Sequence, residues 1–209
     1  MKKPQFSKKE ALKFGFNIAK KNILFFVEIF VIVVFFSGFS NFLKVLVNPQ
    51  KEPILYFIFY IALFIINMVI GIGMIKIALE FVDGKKPKFS HLWYYKPILN
   101  YFIASLIQGI IVTIGFILLI IPGIILSIRL YYTYYLIIDK NLGFVEAIKK
   151  SWAITRGNTW NLFFLGILVG LINILGVLCL VIGLFVTVPL SLIALTFVYR
   201  KLLLQSEAA

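Results

Sequence analysis

Residues 98–138 read ILNYFIASLIQGIIVTIGFILLIIPGIILSIRLYYTYYLII, and residues 157–199 read GNTWNLFFLGILVGLINILGVLCLVIGLFVTVPLSLIALTFVY. The first stretch carries one charge, Arg129, and the second carries none. A helix that crosses a bilayer takes about 20 apolar residues. Each stretch is about twice that length, so each is expected to fold back as a hairpin of two spans. That reading fixes the class: an all-α, polytopic membrane protein.

Composition agrees. The chain has 209 residues and is 62% hydrophobic, with a mean hydropathy of +1.02. Charged residues make up 14%, against about 25% in soluble domains. One membrane domain over residues 1–209 is expected, with no separate soluble domain of ordinary size. The net charge is +13, but the cations lie between apolar runs rather than gathered on one soluble face. Anionic lipid headgroups explain them better than nucleic acid, and no nucleic-acid partner is expected. Cys179, the single cysteine, allows no intramolecular disulfide and reads as a small buried hydrophobe. His91 is the single histidine, so neither a metal site nor a cofactor is expected. The basic N-terminus resembles a signal peptide, but the apolar run from Ile23 is long, contains Glu28 and lacks an Ala-x-Ala site. It is expected to stay as the first span.

Six spans follow along the chain. The first covers about Asn22 to Leu43, and the second about Ile54 to Leu79, after the Asn48-Pro49-Gln50 turn. The third runs from about Pro97 to Ile121, where Pro122-Gly123 is expected to break the helix. The fourth covers about Ile124 to Ile138, the fifth starts near Thr159, and the sixth ends near Leu203. The last turn falls between Gly176 and Pro189, with Pro189 either in it or a kink in the final span.

A short segment precedes each hairpin. Ser7-Lys8-Lys9-Glu10 has capping-box spacing and opens a basic helix to about Lys20. Phe89 to Tyr95 is short and aromatic. From Phe144 to Arg156, the residues Phe144, Ala147, Ile148, Ser151, Trp152 and Thr155 share one helical face. Glu146, Lys149 and Lys150 share the other, and Gly157 supplies the stop. Such helices are expected to lie in the interface with lysines toward headgroups. The pattern suggests three parallel repeats, at about 7–80, 86–138 and 141–204. In letters, Ile114-Gly115 before Pro122-Gly123 matches Leu175-Gly176 before Ile182-Gly183.

Cation counts set orientation. The N-terminal segment carries seven Lys, the second-to-third and fourth-to-fifth connections carry four Lys or Arg each, and the C-terminus carries Arg200 and Lys201. The other side carries Lys44 and Lys51. The positive-inside rule places both termini in the cytoplasm of a multi-pass cell-membrane protein.

Four ionisable residues fall within spans: Glu28, Lys76, Glu80 and Arg129. A charge in the bilayer interior is costly unless paired or hydrated, which marks it as a candidate site. Lys76 and Glu80 share a face at i,i+4 and are expected to pair or snorkel. Arg129 sits about nine residues, or roughly 14 Å, from its span's cytoplasmic end. Glu28 and Arg129 are read either as a structural ion pair or as a site for an anionic headgroup or a proton-coupled substrate. Asn67, Gln108 and Asn173 are expected to bond between helices. No phosphate loop, zinc motif or nucleophile elbow occurs, and no catalytic residue is assigned.

The C-terminal half carries a resemblance. Pro122-Gly123-Ile124-Ile125 with Arg129-Leu130, Gly143-Phe144-x-Glu146-Ala147-Ile148 with Ser151-Trp152, and Arg156-Gly157-Asn158-x-Trp160 are the residues concerned, with Gly176, Gly183, Pro189 and Tyr199-Arg200. Over about residues 85–204 the chain resembles the membrane-domain-like family of glycerophosphoryl diester phosphodiesterases, many of whose members stand alone. The resemblance implies a multi-span bundle with amphipathic cytoplasmic helices. In the phosphodiesterases the membrane domain precedes a catalytic domain that this sequence, ending at Ala209, does not show. Diesterase activity is therefore not expected. The leading expectation is a non-enzymatic protein that engages lipid, a membrane-protein partner or a second copy of itself. It would do so through the interfacial helices and the Glu28/Arg129 region, in envelope homeostasis. The second is a small transporter or transporter subunit with a pathway near Glu28 and Arg129. A third, an intramembrane lipid-acting enzyme, would need another catalytic group near Glu28, and the sequence offers none.

Overall fold

The computed structural model describes residues 6–46, 50–179 and 182–207, with the side chains of residue 37 and residues 39–46 outside that description. The chain is 85% helix with no strand among the described residues. The elements are α1 (Lys8–Lys21), α2 (Ile23–Leu46), α3 (Pro53–Val82), a 3₁₀ segment (Phe89–Trp93), α4 (Ile98–Leu118), α5 (Ile120–Leu130), α6 (Thr133–Lys140), α7 (Phe144–Thr155), α8 (Thr159–Leu178) and α9 (Leu184–Glu207). Five runs are long and apolar enough to cross a membrane: α3, α4, the joined run Ile120–Lys140, α8 and α9. The chain is thus a multi-pass membrane protein. In α2 the stretch Ile23–Phe36 is apolar but shorter than a span. Asn48 and Pro49 of the expected first turn lie outside the described residues.

The hydrophobic core sits at one end of the bundle. In α3 every buried residue but Leu63 lies at or beyond Ile70, and in α9 burial begins at Pro189. The opposite ends present bare apolar side chains, such as Ile54, Ile117 and Leu178, each more than two-thirds exposed. In water that exposure would be prohibitive, whereas in hydrocarbon it is the favoured surface. The helix C-termini of α3, α6 and α9 share the packed end with the start of α1. Most Lys and Arg lie there, and it is called the basic end below.

α9 is the central element. Its Ala194, Val198 and Leu202 join a cluster with Tyr132, Tyr135, Leu136 and Leu165. Its Ile193 joins a second cluster with Phe26, Ile77, Phe81 and Leu92. α1 runs antiparallel along it: Glu10 lies beside Lys201, Phe14 stacks on Phe197 at 4.7 Å, and Gly15 meets Leu190 and Ala194. A Cβ at Gly15 would fall 2.4 Å from the Leu190 carbonyl oxygen, so only glycine allows this approach. Ala11, Gly15 and Ala19, each four residues apart, form the buried stripe of α1. The helix expected in the interface therefore docks on the bundle.

Local signals account for most boundaries. Ser7 caps α1 by accepting the Glu10 N–H at 3.3 Å, while the Glu10 carboxylate turns to Lys201 instead of completing a capping box. Gly157, with φ of +84°, ends the α7 turn in a conformation that L side chains rarely adopt. Two expectations are corrected. The α4–α5 break falls at Leu119, whose backbone is extended, and Pro122 lies in the first turn of α5. Proline is tolerated there because first-turn N–H groups have no helical acceptor. Cys179, expected to be buried, is exposed at the apolar end of α8. Pro189 lies inside α9, and the turn before it precedes Leu184.

Both glycine pairs seen in the sequence are close contacts. A Cβ at Gly115 would lie 3.1 Å from Gly123 Cα, and one at Gly176 3.2 Å from the Gly183 carbonyl carbon. Between α8 and α9, Asn173 donates to Ser191 at 3.0 Å, as expected of a cross-helix amide. Asn67 instead donates to Leu63 within its own helix at 2.8 Å. The expected cost of Gly15→Leu is about 1–3 kcal/mol of overpacking, read as a thermal midpoint in detergent several degrees below wild type. Gly166→Leu is expected to leave that midpoint nearly unchanged, because a Cβ at Gly166 would meet no neighbouring element within 4 Å.

Candidate functional site

Two helices that pack on α9 end in an aspartate. Asp83 is the C-cap of α3, and Asp139 lies in the last turn of α6. A carboxylate at a helix C-terminus faces the negative end of the dipole and needs a cation. Arg200 of α9 supplies it to both. Its Nε and Nη2 donate to Asp83 at 2.8 and 2.7 Å. Its Nη1 and Nη2 donate to the two oxygens of Asp139. The Tyr199 hydroxyl adds a third donor to Asp139 at 2.9 Å. The fork of a guanidinium suits two carboxylates in a way that an ammonium does not. Beneath lies an aromatic group in which the Tyr199 ring sits 5.6 Å from Tyr132 and 5.3 Å from Tyr135.

Nearby charges are also paired. Glu207 receives Lys140 at 3.3 Å and Lys150 at 3.8 Å, and Glu10 receives Lys201 at 3.5 Å. A cavity of about 410 Å³ beside Arg200 is lined by Asp83, Lys140, Lys201 and Glu207 among its charged groups. With its cations already matched to carboxylates, it has little to offer an anionic ligand.

The four candidate charges separate into three places. Lys76 and Glu80 pair at 3.6 Å as their spacing predicts. Glu80 is buried, and a second partner, His91, reaches it from the 3₁₀ segment. Leu92 of that segment lies so close to α3 that a Cβ at Gly73 would fall on its carbonyl. Glu28 is exposed on α2. Arg129 is elsewhere: its guanidinium lies 4.5 Å above the Trp152 ring of α7. Its carbonyl accepts from Ser151 at 2.8 Å and Thr155 at 3.3 Å. No contact joins Glu28 to Arg129 among the described residues. Arg129 is instead the seat of α7, and its Nε is buried without a hydrogen-bond partner.

α7 turns most of the face read from its periodicity toward the bundle, with Trp152 the exception. Ala147, Ser151, Ile154 and Thr155 are buried, and Phe144 and Ile148 are half-buried against the bundle. Trp152 is 40% exposed, and Lys149 and Arg156 are open. Like α1, this helix docks on protein.

The sequence reading did not single out Arg200 and its two partners. The signal was present: Asp83 and Asp139 are the only aspartates in the chain. Each follows a long apolar run directly and stands beside lysine-rich sequence. No protein-family model, curated protein or solved structure matches this chain.

Asp139 is the more buried partner, its side chain 13% exposed against 31% for Asp83. Asp139→Asn is therefore expected to cost about 3 kcal/mol, measurably more than Asp83→Asn in detergent unfolding. In a double-mutant cycle, Glu28→Gln and Arg129→Gln are expected to be additive. Arg129→Gln and Trp152→Leu should couple by about 0.5–2 kcal/mol.

Proposed function

We propose that this chain is a non-enzymatic, six-span protein of the cytoplasmic membrane, with both termini in the cytoplasm, that engages anionic lipid at its basic end. In this reading α2 is the first span. The spans form three hairpins, each preceded by a short helix that meets the headgroups. Two observations support the repeat. The hairpin turns of α4–α5 and α8–α9 close on matching glycine pairs. Asp83 caps α3, Asp139 lies in the last turn of α6 and Arg200 lies in the C-terminal part of α9, so the second helix of each hairpin contributes one member of a single charged cluster. The kinship we infer with the phosphodiesterase membrane-domain family concerns this architecture, and no diesterase activity is carried with it.

The observation that carries the lipid reading is the charge left after internal pairing. Asp83, Asp139, Glu80, Glu10 and Glu207 are all engaged by cations of the same chain. Lys8, Lys9, Lys13, Lys20, Lys21, Lys85, Lys86, Lys88 and Lys149 have no carboxylate partner among the described residues. Exposed aromatics stand near them in sequence: Phe89, Trp93, Tyr95, Trp152 and Trp160. Free lysines beside amphipathic rings are the chemistry of an anionic headgroup layer, each lysine contributing about 1 kcal/mol. A transporter pathway joining Glu28 to Arg129 draws no support from their separation.

Native mass spectrometry of the purified protein tests this reading. It predicts that phosphatidylglycerol is retained over phosphatidylcholine at equal concentration, with a preference that shrinks as ammonium acetate is raised. Equal retention of both lipids at low salt would sink it. The topology has its own check in a Cys179→Ser background. Cysteines placed at Ser7, Lys86, Lys149 and Ser206 should be labelled from the cytoplasmic side alone, and one at Lys51 from the opposite side.

A further inference from the structure

α1 leaves a groove of about 990 Å³ beside the first turns of α8. Its composition changes along its length. At the mouth are Lys8, Lys9 and Lys13 with the polar groups of Ser7 and Asn161, beside the apolar Phe6 and Leu12. Toward the far end it is lined by Phe16, Leu168 and Leu190. Leu168 is seven residues beyond Asn161 on α8, roughly 10 Å deeper along the helix. No carboxylate lines the groove, and the nearest in sequence, Glu10, is engaged by Lys201. The three ammonium groups thus have no internal counter-ion, although Lys8 also rests over the Phe164 ring at 5.1 Å. The outer face of α8 is open apolar surface, with Phe164 and Leu171 about half exposed. A ligand can therefore enter sideways from a bilayer.

We propose that this groove seats one anionic phospholipid, its phosphate among Lys8, Lys9 and Lys13 and one acyl chain along Leu168 and Leu190. The proposal rests on the lipid reading above and gives it a place. Charge complementarity selects an anion. The apolar far end selects an acyl chain, for which inorganic phosphate or a soluble metabolite has no counterpart. The volume is at the upper end of the range for small-molecule sites. Because Gly15 fixes α1 against α9, the groove is held open by the same contact that places the lysines.

The test titrates phosphatidylglycerol and, separately, phosphatidylcholine into the detergent-solubilised full chain, read by native mass spectrometry. Four proteins are compared: wild type; Lys8→Gln, Lys9→Gln and Lys13→Gln together; Leu168→Trp; and Lys85→Gln, Lys86→Gln and Lys88→Gln together. The last loses the same charge outside the groove. The groove triple variant should bind phosphatidylglycerol about tenfold or more weakly, with phosphatidylcholine unchanged. Leu168→Trp should weaken both lipids by obstructing the chain, and the control triple, whose lysines meet only the general headgroup layer, should lose several-fold less affinity for phosphatidylglycerol than the groove triple. Equal losses in the two triple variants would overturn the groove while leaving the general lipid reading standing. A wild type that does not distinguish the two lipids would overturn both. Inorganic phosphate displacing the lipid at millimolar concentration would assign the lysines to a free anion and reject the phospholipid.

Discussion

Two helix ends, those of α3 and α6, would repel each other and drift from α9 without Arg200. Two carboxylates placed at the C-termini of α3 and α6 are disfavoured by their own helices and by each other. One guanidinium holds both by paired hydrogen bonds. Its net worth against an apolar replacement is small, because desolvation offsets most of the attraction. Its value is in specificity: the helices associate in one register, since a shift by a turn leaves two part-buried aspartates unpaired. Lipid-facing helices lack the hydrophobic drive that orders soluble cores, so polar fixtures and small-residue contacts decide how they meet. Here Gly15, Gly73, Gly115 and Gly176 supply the close contacts, and Arg200 fixes the register at one end.

The same fixture shapes the surface. With both aspartates and three of the six glutamates held internally, the lysines of α1 and of the α3–α4 connection face outward uncompensated. The field at the basic end is positive because the acids have been withdrawn from it. In the proposed lipid reading that field meets phospholipid headgroups, and the groove beside α1 and α8 pairs the charge with an apolar lining.

How far the sequence disclosed this differs from element to element. That several helices are long and apolar enough to cross a membrane was readable because length and hydropathy are properties of single segments, while α2, apolar only over Ile23–Phe36, falls short of the span read there. The α7 face was readable because its periodicity is local, and Lys76–Glu80 because i,i+4 geometry is local. Pro122 misled because proline stops one helix and starts another equally well, and only the extended Leu119 decides which. Cys179 misled because apolar sequence does not say whether protein or lipid will cover a side chain. Glu28 and Arg129 are opposite charges in apolar sequence, yet they lie apart, and stacking on Trp152 satisfies the arginine face. Asp139 and Asp83 lie 61 and 117 residues from Arg200 in the chain, and no periodicity connects them. Counting the aspartates would have found them.

The most direct test of the central claim permutes the charges without changing their number. Arg200→Asp alone puts three carboxylates at one point and should lower the thermal midpoint in detergent sharply. Adding Asp139→Arg restores one cation among two carboxylates on the same three helices. The account predicts that this double variant regains most of the lost stability. A double variant no more stable than Arg200→Asp would contradict it, and would mean that the helices are held by packing alone.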